Sequence, residues 1–293
     1  MNNKIKIITD NGCDLEQSWL DENNIHQIKF GLIIGDEEFE GETSNSITNE
    51  VFYQKLADGA MPKTAQVTPY IATSHIEPFL KEGYDVLYLS FSSGLSGSCN
   101  SVKLAVEQLS IEYPNQKIYA LDTLCASLGQ GLFIDYVIKY INQGKSFDEV
   151  VKYAEELKWM IRHEVTVDDL FHLKRGGRIG VVSAIFGSML SIKPMIYVNN
   201  EGKLISFSKV RGRNSSIRAL YDYFIKYNDI TDEDPIFISH SNCYEEACKL
   251  KDMLQQEKPN NKIYINFIGP IIGSHTGQGT IAVFYKGKSR DIQ

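Results

Sequence analysis

The alternation of short β-rich runs with amphipathic helical stretches constrains this chain more than anything else in it. IKIIT at 5–9, DVLYLS at 85–90 and KIYALD at 117–122 each read as a strand, and the segments between them read as helices. A helix between two strands carries the chain back to the end of the sheet where it started, so such strands pair in parallel as βαβ units. Thr68 stands at an N-cap position, Pro69 takes the first helical position, and Ile71, Ile76, Phe79 and Leu80 follow at roughly helical spacing. That pattern predicts a helix from Thr68 to Leu80. Residues 25–42, IHQIKFGLIIGDEEFEGE, read as two strands around a Gly-Asp-Glu turn, with a helix from about Thr48 to Leu56 behind them. Together they form a small antiparallel insertion at about 25–60.

Further along, Ser146 and Glu149 make a capping box for a long helix predicted to run to His163, with Phe147, Val150, Val151, Ala154, Leu157 and Met160 on one face. KPMIYVNNEGKLISFSKV (193–210) reads as a hairpin whose Asn-Asn-Glu-Gly centre supplies turn chemistry. A helix near 215–227, the strand PIFISH (235–240), a helix near 243–256 and the strands KIYINF (262–267) and TIAVFY (280–285) follow. At 293 residues, two domains are expected. One is an N-terminal α/β domain over 1–155, a parallel sheet flanked by helices, and the other a C-terminal α/β domain over 156–293. No Pro/Gly/Ser-rich joint separates them, so they should pack closely.

Composition removes several function classes. A formal net charge of −7, with acidic and basic residues interspersed, lacks the basic stripe that a nucleic-acid backbone requires. The start, MNNKIKIITD, passes straight into a strand without a signal-peptide core. The most apolar candidate for a membrane span, Ser183 to Ile192, is about half the roughly 20 residues needed and contains three serines. Cys13, Cys99, Cys125, Cys243 and Cys248 are odd in number and scattered, which fits a reducing, cytoplasmic setting better than a disulfide framework. No metal-type spacing surrounds them.

Ligands of open α/β sheets bind beyond the carboxyl ends of the strands. Four loops there draw attention: ITDNGCDL (8–15), KTAQVTP (63–69), SFSSGLSGSCNS (90–101) and LDTLCASLGQG (121–131). Any one of them is explained by helix capping alone. Four in one chain favour a shared anion site, with glycines admitting backbone N–H groups and hydroxyls donating. HLKRGGRIG (172–180) gathers Lys174, Arg175 and Arg178; Lys209, Arg211 and Arg213 form another basic group; and His275 sits in GPIIGSHTGQG (269–279). GxxxxGK[ST], HExxH and GxSxG are all absent.

Taken in order, ITD, Thr64 to Gln66, SSGLSG, the D-x-x-x-x-S-x-GQG run from Asp122, LKRGGRI, IKP at 192–194, KVR at 209–211 and GPIIGSHTGQG resemble the motifs of the DegV family. These proteins are the fatty-acid-binding subunits of bacterial fatty acid kinases. The resemblance covers nearly the whole chain. It implies an apolar tunnel between the two domains that holds a long-chain fatty acid such as palmitate or oleate, with no further cofactor and no catalytic residue of its own. Thr64 and Ser93 would hold the carboxylate, with His275 close by. Asn11, Gln66, Ser92, Gly94 and Ser96 would support the head group. Arg175, Arg178 and Arg211 would face a separate ATP-dependent kinase subunit or the phosphate it transfers. The chain departs from the family pattern at Asn11, where serine is usual, and at Ala65 and Val67. Ser274 and Gln278 are departures as well.

Two other readings compete. Ser93 or Ser96 with His275 and an acid such as Asp10 or Asp122 would make a serine hydrolase. A sensor of a polar small molecule could also use this fold, since fold does not dictate function.

Overall fold

The structure is a computed structural model that describes residues 4–168, 170–179 and 191–291. Up to Leu157 the chain runs β1 (Ile5–Asp10), α1 (Gln17–Glu22), β2 (His26–Ile28), β3 (Gly31–Ile34), β4 (Glu37–Glu40), α2 (Asn49–Ala57), β5 (Lys63–Ala65), α3 (Pro69–Lys81), β6 (Asp85–Ser90), α4 (Ser98–Glu112), β7 (Ile118–Asp122), α5 (Leu128–Ile141) and α6 (Phe147–Leu157). Then come β8 (Ile161–Thr166), α7 (Phe171–Arg175), β9 (Ile192–Val198), β10 (Leu204–Arg211), α8 (Arg213–Tyr227), β11 (Ile236–His240), α9 (Tyr244–Glu257), β12 (Ile263–Phe267), α10 (Pro270–Thr276) and β13 (Ile281–Lys286).

The predicted βαβ units form a parallel sheet ordered β2-β1-β6-β7. All six residues of β6 are buried, as expected for a strand covered on both faces. Alternation divides its contacts: Val86 and Tyr88 pack with α3 and α4, whereas Leu87 and Leu89 face α5 and α6. The insertion is a separate antiparallel sheet, β4-β3-β5, whose hairpin turns at Gly35 with φ 62°. Its third strand, β5, places Thr64 opposite Leu32.

A second sheet, β10-β9-β8-β13-β11-β12, is antiparallel except where β11 pairs with β12. One face packs on α8 and α9 through Met195, Ile236, Ile238 and Val283. The other turns Val165, Ile196, Ala282 and Phe284 toward the parallel sheet. Helix α5 lies between the sheets, touching β8, β11 and β13, and is buried on nearly every side of its first half. The class predicted from alternation is therefore present: a helix-flanked parallel sheet and a second α/β sheet. Among the described residues no helix is long and apolar enough to cross a membrane. Of the apolar run Ser183 to Ile192, residues 183–190 lie outside those described.

Two expectations fail locally. The helix predicted to reach His163 stops at Leu157, and Ile161–Thr166 is a strand. The helical spacing runs out because IRHEVT occupies the middle of the second sheet, with backbone partners on both β9 and β13. Two glycine-rich segments read as loops are in fact helical: Gly129-Gln130-Gly131 opens α5, and His275 lies on α10.

Candidate functional site

β1 delivers Asp10 to the carboxyl end of the parallel sheet. Its carboxylate accepts from the Gly12 and Phe91 N–H groups at 3.2 and 2.9 Å, from the Tyr88 hydroxyl at 3.2 Å and from Gln130 Nε2 at 3.2 Å. One acid thus ties the loops after β1 and β6 to α5. Burial pushes its pKa up to about 6 even though those donors favour the charged form. Asp122, at the end of β7, accepts from the Ser93 and Leu124 N–H groups, each at 3.1 Å. Both acids are engaged in holding loops.

Helix α10 is set by its surroundings. The Gly269 N–H donates to Asp14 Oδ1 at 3.0 Å, and Pro270 follows in the first turn. Tyr53 OH donates to Ile268 O at 2.7 Å. Gly273 rests on Phe52 and Tyr53, each 2.8 Å from where a Cβ would stand. The far end of the helix carries His275, whose Nε2 lies 2.9 Å from Thr64 Oγ1. Burial, with the charges of Arg178, Arg175 and His172 behind it, lowers the pKa of His275 to about 4, so the imidazole is neutral at neutral pH.

Beside this pair a cavity of about 580 Å³ opens between the two sheets. Phe91, Leu95, Val165, Ile196, Ala282 and Phe284 are among its walls, and Thr64, Gln66, Ser96, Arg178 and His275 also line it. Its size lies within the ~300–1,000 Å³ usual for small-ligand sites. A carboxyl group entering the polar part would meet the Thr64 hydroxyl, the His275 ring and the Ser96 hydroxyl, with Arg178 adding positive charge. Such donors offset the cost of removing an anion from water.

Of the eight predicted head-group residues, Thr64, Gln66, Ser96 and His275 line the cavity, and Ser93, Asn11, Ser92 and Gly94 do not. Ser96 is on the wall; Ser93, assigned to hold the carboxylate, is exposed and off it. The tight turn that bonds the Leu95 and Ser96 N–H groups back to Ser92 O aims Leu95, Ser96 and Gly97 inward, while Asp122 draws the Ser93 backbone away. Ser92 is buried and donates to Gly202 O at 2.7 Å, and Gly94 lies against the Glu201 and Gly202 backbone. Both therefore fasten the loop to the β9–β10 turn. Asn11 accepts from the Phe30 N–H at 2.8 Å, and Gln66 Oε1 sits over Gly97.

Arg178 donates to Leu95 O at 3.3 Å, whereas Arg175 bonds Ser274 O and contacts Met61 Sδ outside the wall. Arg211 is exposed at the end of β10 and does not line the cavity. The hydrolase relay is not assembled: His275 Nε2 meets Thr64, Asp10 is held by four donors, and Asp122 faces backbone amides. Among the described residues no group of three His, Cys, Asp or Glu side chains could hold a metal. His163, on the cavity wall, escaped the sequence reading because a histidine between Arg162 and Glu164 in a supposed helix end gives no sign of facing a cavity.

An apolar chamber between two sheets, polar where Thr64 meets His275, makes a candidate small-ligand site in a two-sheet α/β fold. The chain belongs to the DegV family, whose model, described as "uncharacterised protein, DegV family", matches residues 4–288. It is 42% identical over 288 residues to a DegV domain-containing protein of Clostridium perfringens, covering 98% of this chain and 99% of that one. Two solved structures superpose over nearly the whole chain. A fatty-acid-binding DegV family protein from Streptococcus agalactiae is 29% identical with a TM-score of 0.85, covering 98% of this chain and 100% of its own. DegV from Bacillus subtilis, a fatty acid binding protein, is 27% identical with a TM-score of 0.83 over the same shares.

Proposed function

We propose that this protein binds one long-chain fatty acid, with the acyl chain in the chamber between the sheets and the carboxylate among Thr64, Ser96 and His275. The observation that carries the reading is the chamber itself: an apolar space of about 580 Å³ with hydroxyl, imidazole and guanidinium groups beside the Thr64–His275 pair. Burial of methylenes supplies affinity, at roughly 0.8 kcal/mol each, and the polar groups fix the direction of entry. The fatty-acid-binding relatives from S. agalactiae and B. subtilis support the same reading.

The protein is then a carrier that presents its bound carboxylate to a separate ATP-dependent kinase subunit for conversion to an acyl phosphate. Arg175 and Arg211, exposed and off the chamber wall, are the basic residues proposed to meet that partner. Denaturing organic extraction of the purified protein, followed by mass spectrometry, tests the ligand. A narrow set of long-chain acids near one per protein is expected. An empty extract, together with no binding of added palmitate or oleate, refutes it. Acyl-phosphate formation that requires this protein, a kinase subunit and ATP tests the second step.

A further inference from the structure

Resting on the fatty-acid reading, we infer that His163 sets the longest acyl chain the chamber accepts. Strand register gives its position. Thr280, Ala282 and Phe284 of the β13 segment line the cavity at every second residue, and Val165 and His163 do the same on β8, where His163 pairs with Phe284. Thr280 Oγ1 donates to the carbonyl of Thr276, the residue after His275, so that end of the row adjoins the polar groups. Phe284 is four residues further on, about 13 Å at ~3.3 Å per residue. The next inward-facing positions, Ile161 and Lys286, are not on the wall. Among the described residues, the second sheet's wall on these two strands ends at the His163–Phe284 pair.

The ring cannot yield easily. Its Nε2 accepts from the Ala126 N–H at 3.2 Å, its plane stands at 89° to Phe284 with centroids 5.1 Å apart, and the residue is 2% exposed. Behind it lies the start of α5, where a Cβ on Gly129 would fall 2.2 Å from Nε2. The imidazole is thus wedged between the sheet and the helix. Removing it joins the space in front of Gly129 to the chamber; placing a methyl on Gly129 pushes the ring into the chamber. A core histidine with a purely structural role predicts neither change in ligand length.

The test is a competition among straight-chain saturated acids of graded length, on wild type, His163→Ala, Gly129→Ala and the double variant, with melting curves to show folding. Affinity should climb about fourfold per methylene until the chamber is full and then stop. His163→Ala should move that limit longer by roughly two methylenes, raising the ratio of the longer to the limiting acid about 15-fold. Gly129→Ala should move it shorter, and the double variant should return toward wild type. Gly129 has no left-handed backbone that alanine would strain, so this arm stands even if His163→Ala does not fold. Should wild type bind none of the acids, the fatty-acid reading falls and this one with it. Should wild type bind and every folded variant keep its limit, only the role given to His163 is wrong.

Discussion

Thr64→Val tests the head-group site with least disturbance elsewhere, because valine keeps the shape and β-preference of threonine on the short strand β5 and removes only the hydroxyl. In the structure that hydroxyl lies 2.9 Å from His275 Nε2 and faces the cavity. With His275 donating through Nε2, Thr64 is free to donate its own hydrogen to a bound carboxylate. A hydrogen bond to a charged group contributes about 1.5–3 kcal/mol. At about 1.4 kcal/mol per tenfold, the variant should bind a long-chain acid roughly 10- to 150-fold more weakly. The assay is equilibrium titration with the acid and, in parallel, with the alcohol of equal chain length, which buries the same methylenes without a charge. The acid should lose affinity far more than the alcohol. Equal losses would mean that the substitution reshapes the chamber, and no loss would mean that Thr64 does not touch the carboxylate; either result refutes the assignment.

Four further outcomes follow from named contacts. Ser96→Ala should weaken acid binding by about tenfold, as expected for one hydrogen bond, whereas Ser93→Ala should leave it near wild type; the reverse order in the same titration would restore Ser93 to the site. His275 is neutral in the folded protein down to about pH 4, whereas an unfolded histidine takes up its proton near 6.5, so its contribution to stability is complete above about 6.5 and lost as pH falls toward 4. Denaturant titrations across that window should show a shallower decline for His275→Gln. Tyr53→Phe removes buried bonds to Ser241 Oγ and Ile268 O and should lower unfolding free energy by about 1–3 kcal/mol, measured in urea. Arg290, 1% exposed, donates to the Thr123, Leu124 and Lys158 carbonyls; Arg290→Met should cost on the order of 3 kcal/mol and lower the melting temperature by several degrees.

The sequence was most legible where local chemistry and tertiary context agree. Thr68 and Ser146 cap helices as their side chains foretell, and the parallel strands follow from alternation. It was least legible where burial overrules periodicity. The helix predicted to reach His163 takes in the first three residues of IRHEVT, yet the place of that segment between two strands makes it a strand. The motifs included residues that line the cavity but did not show which hydroxyl faces it. Nothing in SSGLSG distinguishes Ser93 from Ser96 until Asp122 and the β9–β10 turn hold the loop in place. His163 and Gly129 are 34 positions apart and explain each other only in space.

Thr64 and His275 are separated by 211 positions, so the head-group pair exists only when both ends of the polypeptide are folded against one another. A ligand held there has no counterpart in a half-opened chain and shifts the balance toward the closed form, by about 2.7 kcal/mol at a concentration 100 times its dissociation constant. If the fatty-acid reading holds, the supply of ligand sets how long each copy survives proteolysis. On the fatty-acid reading, loss of ligand at that concentration raises the ratio of open, cleavable molecules to closed ones about a hundredfold.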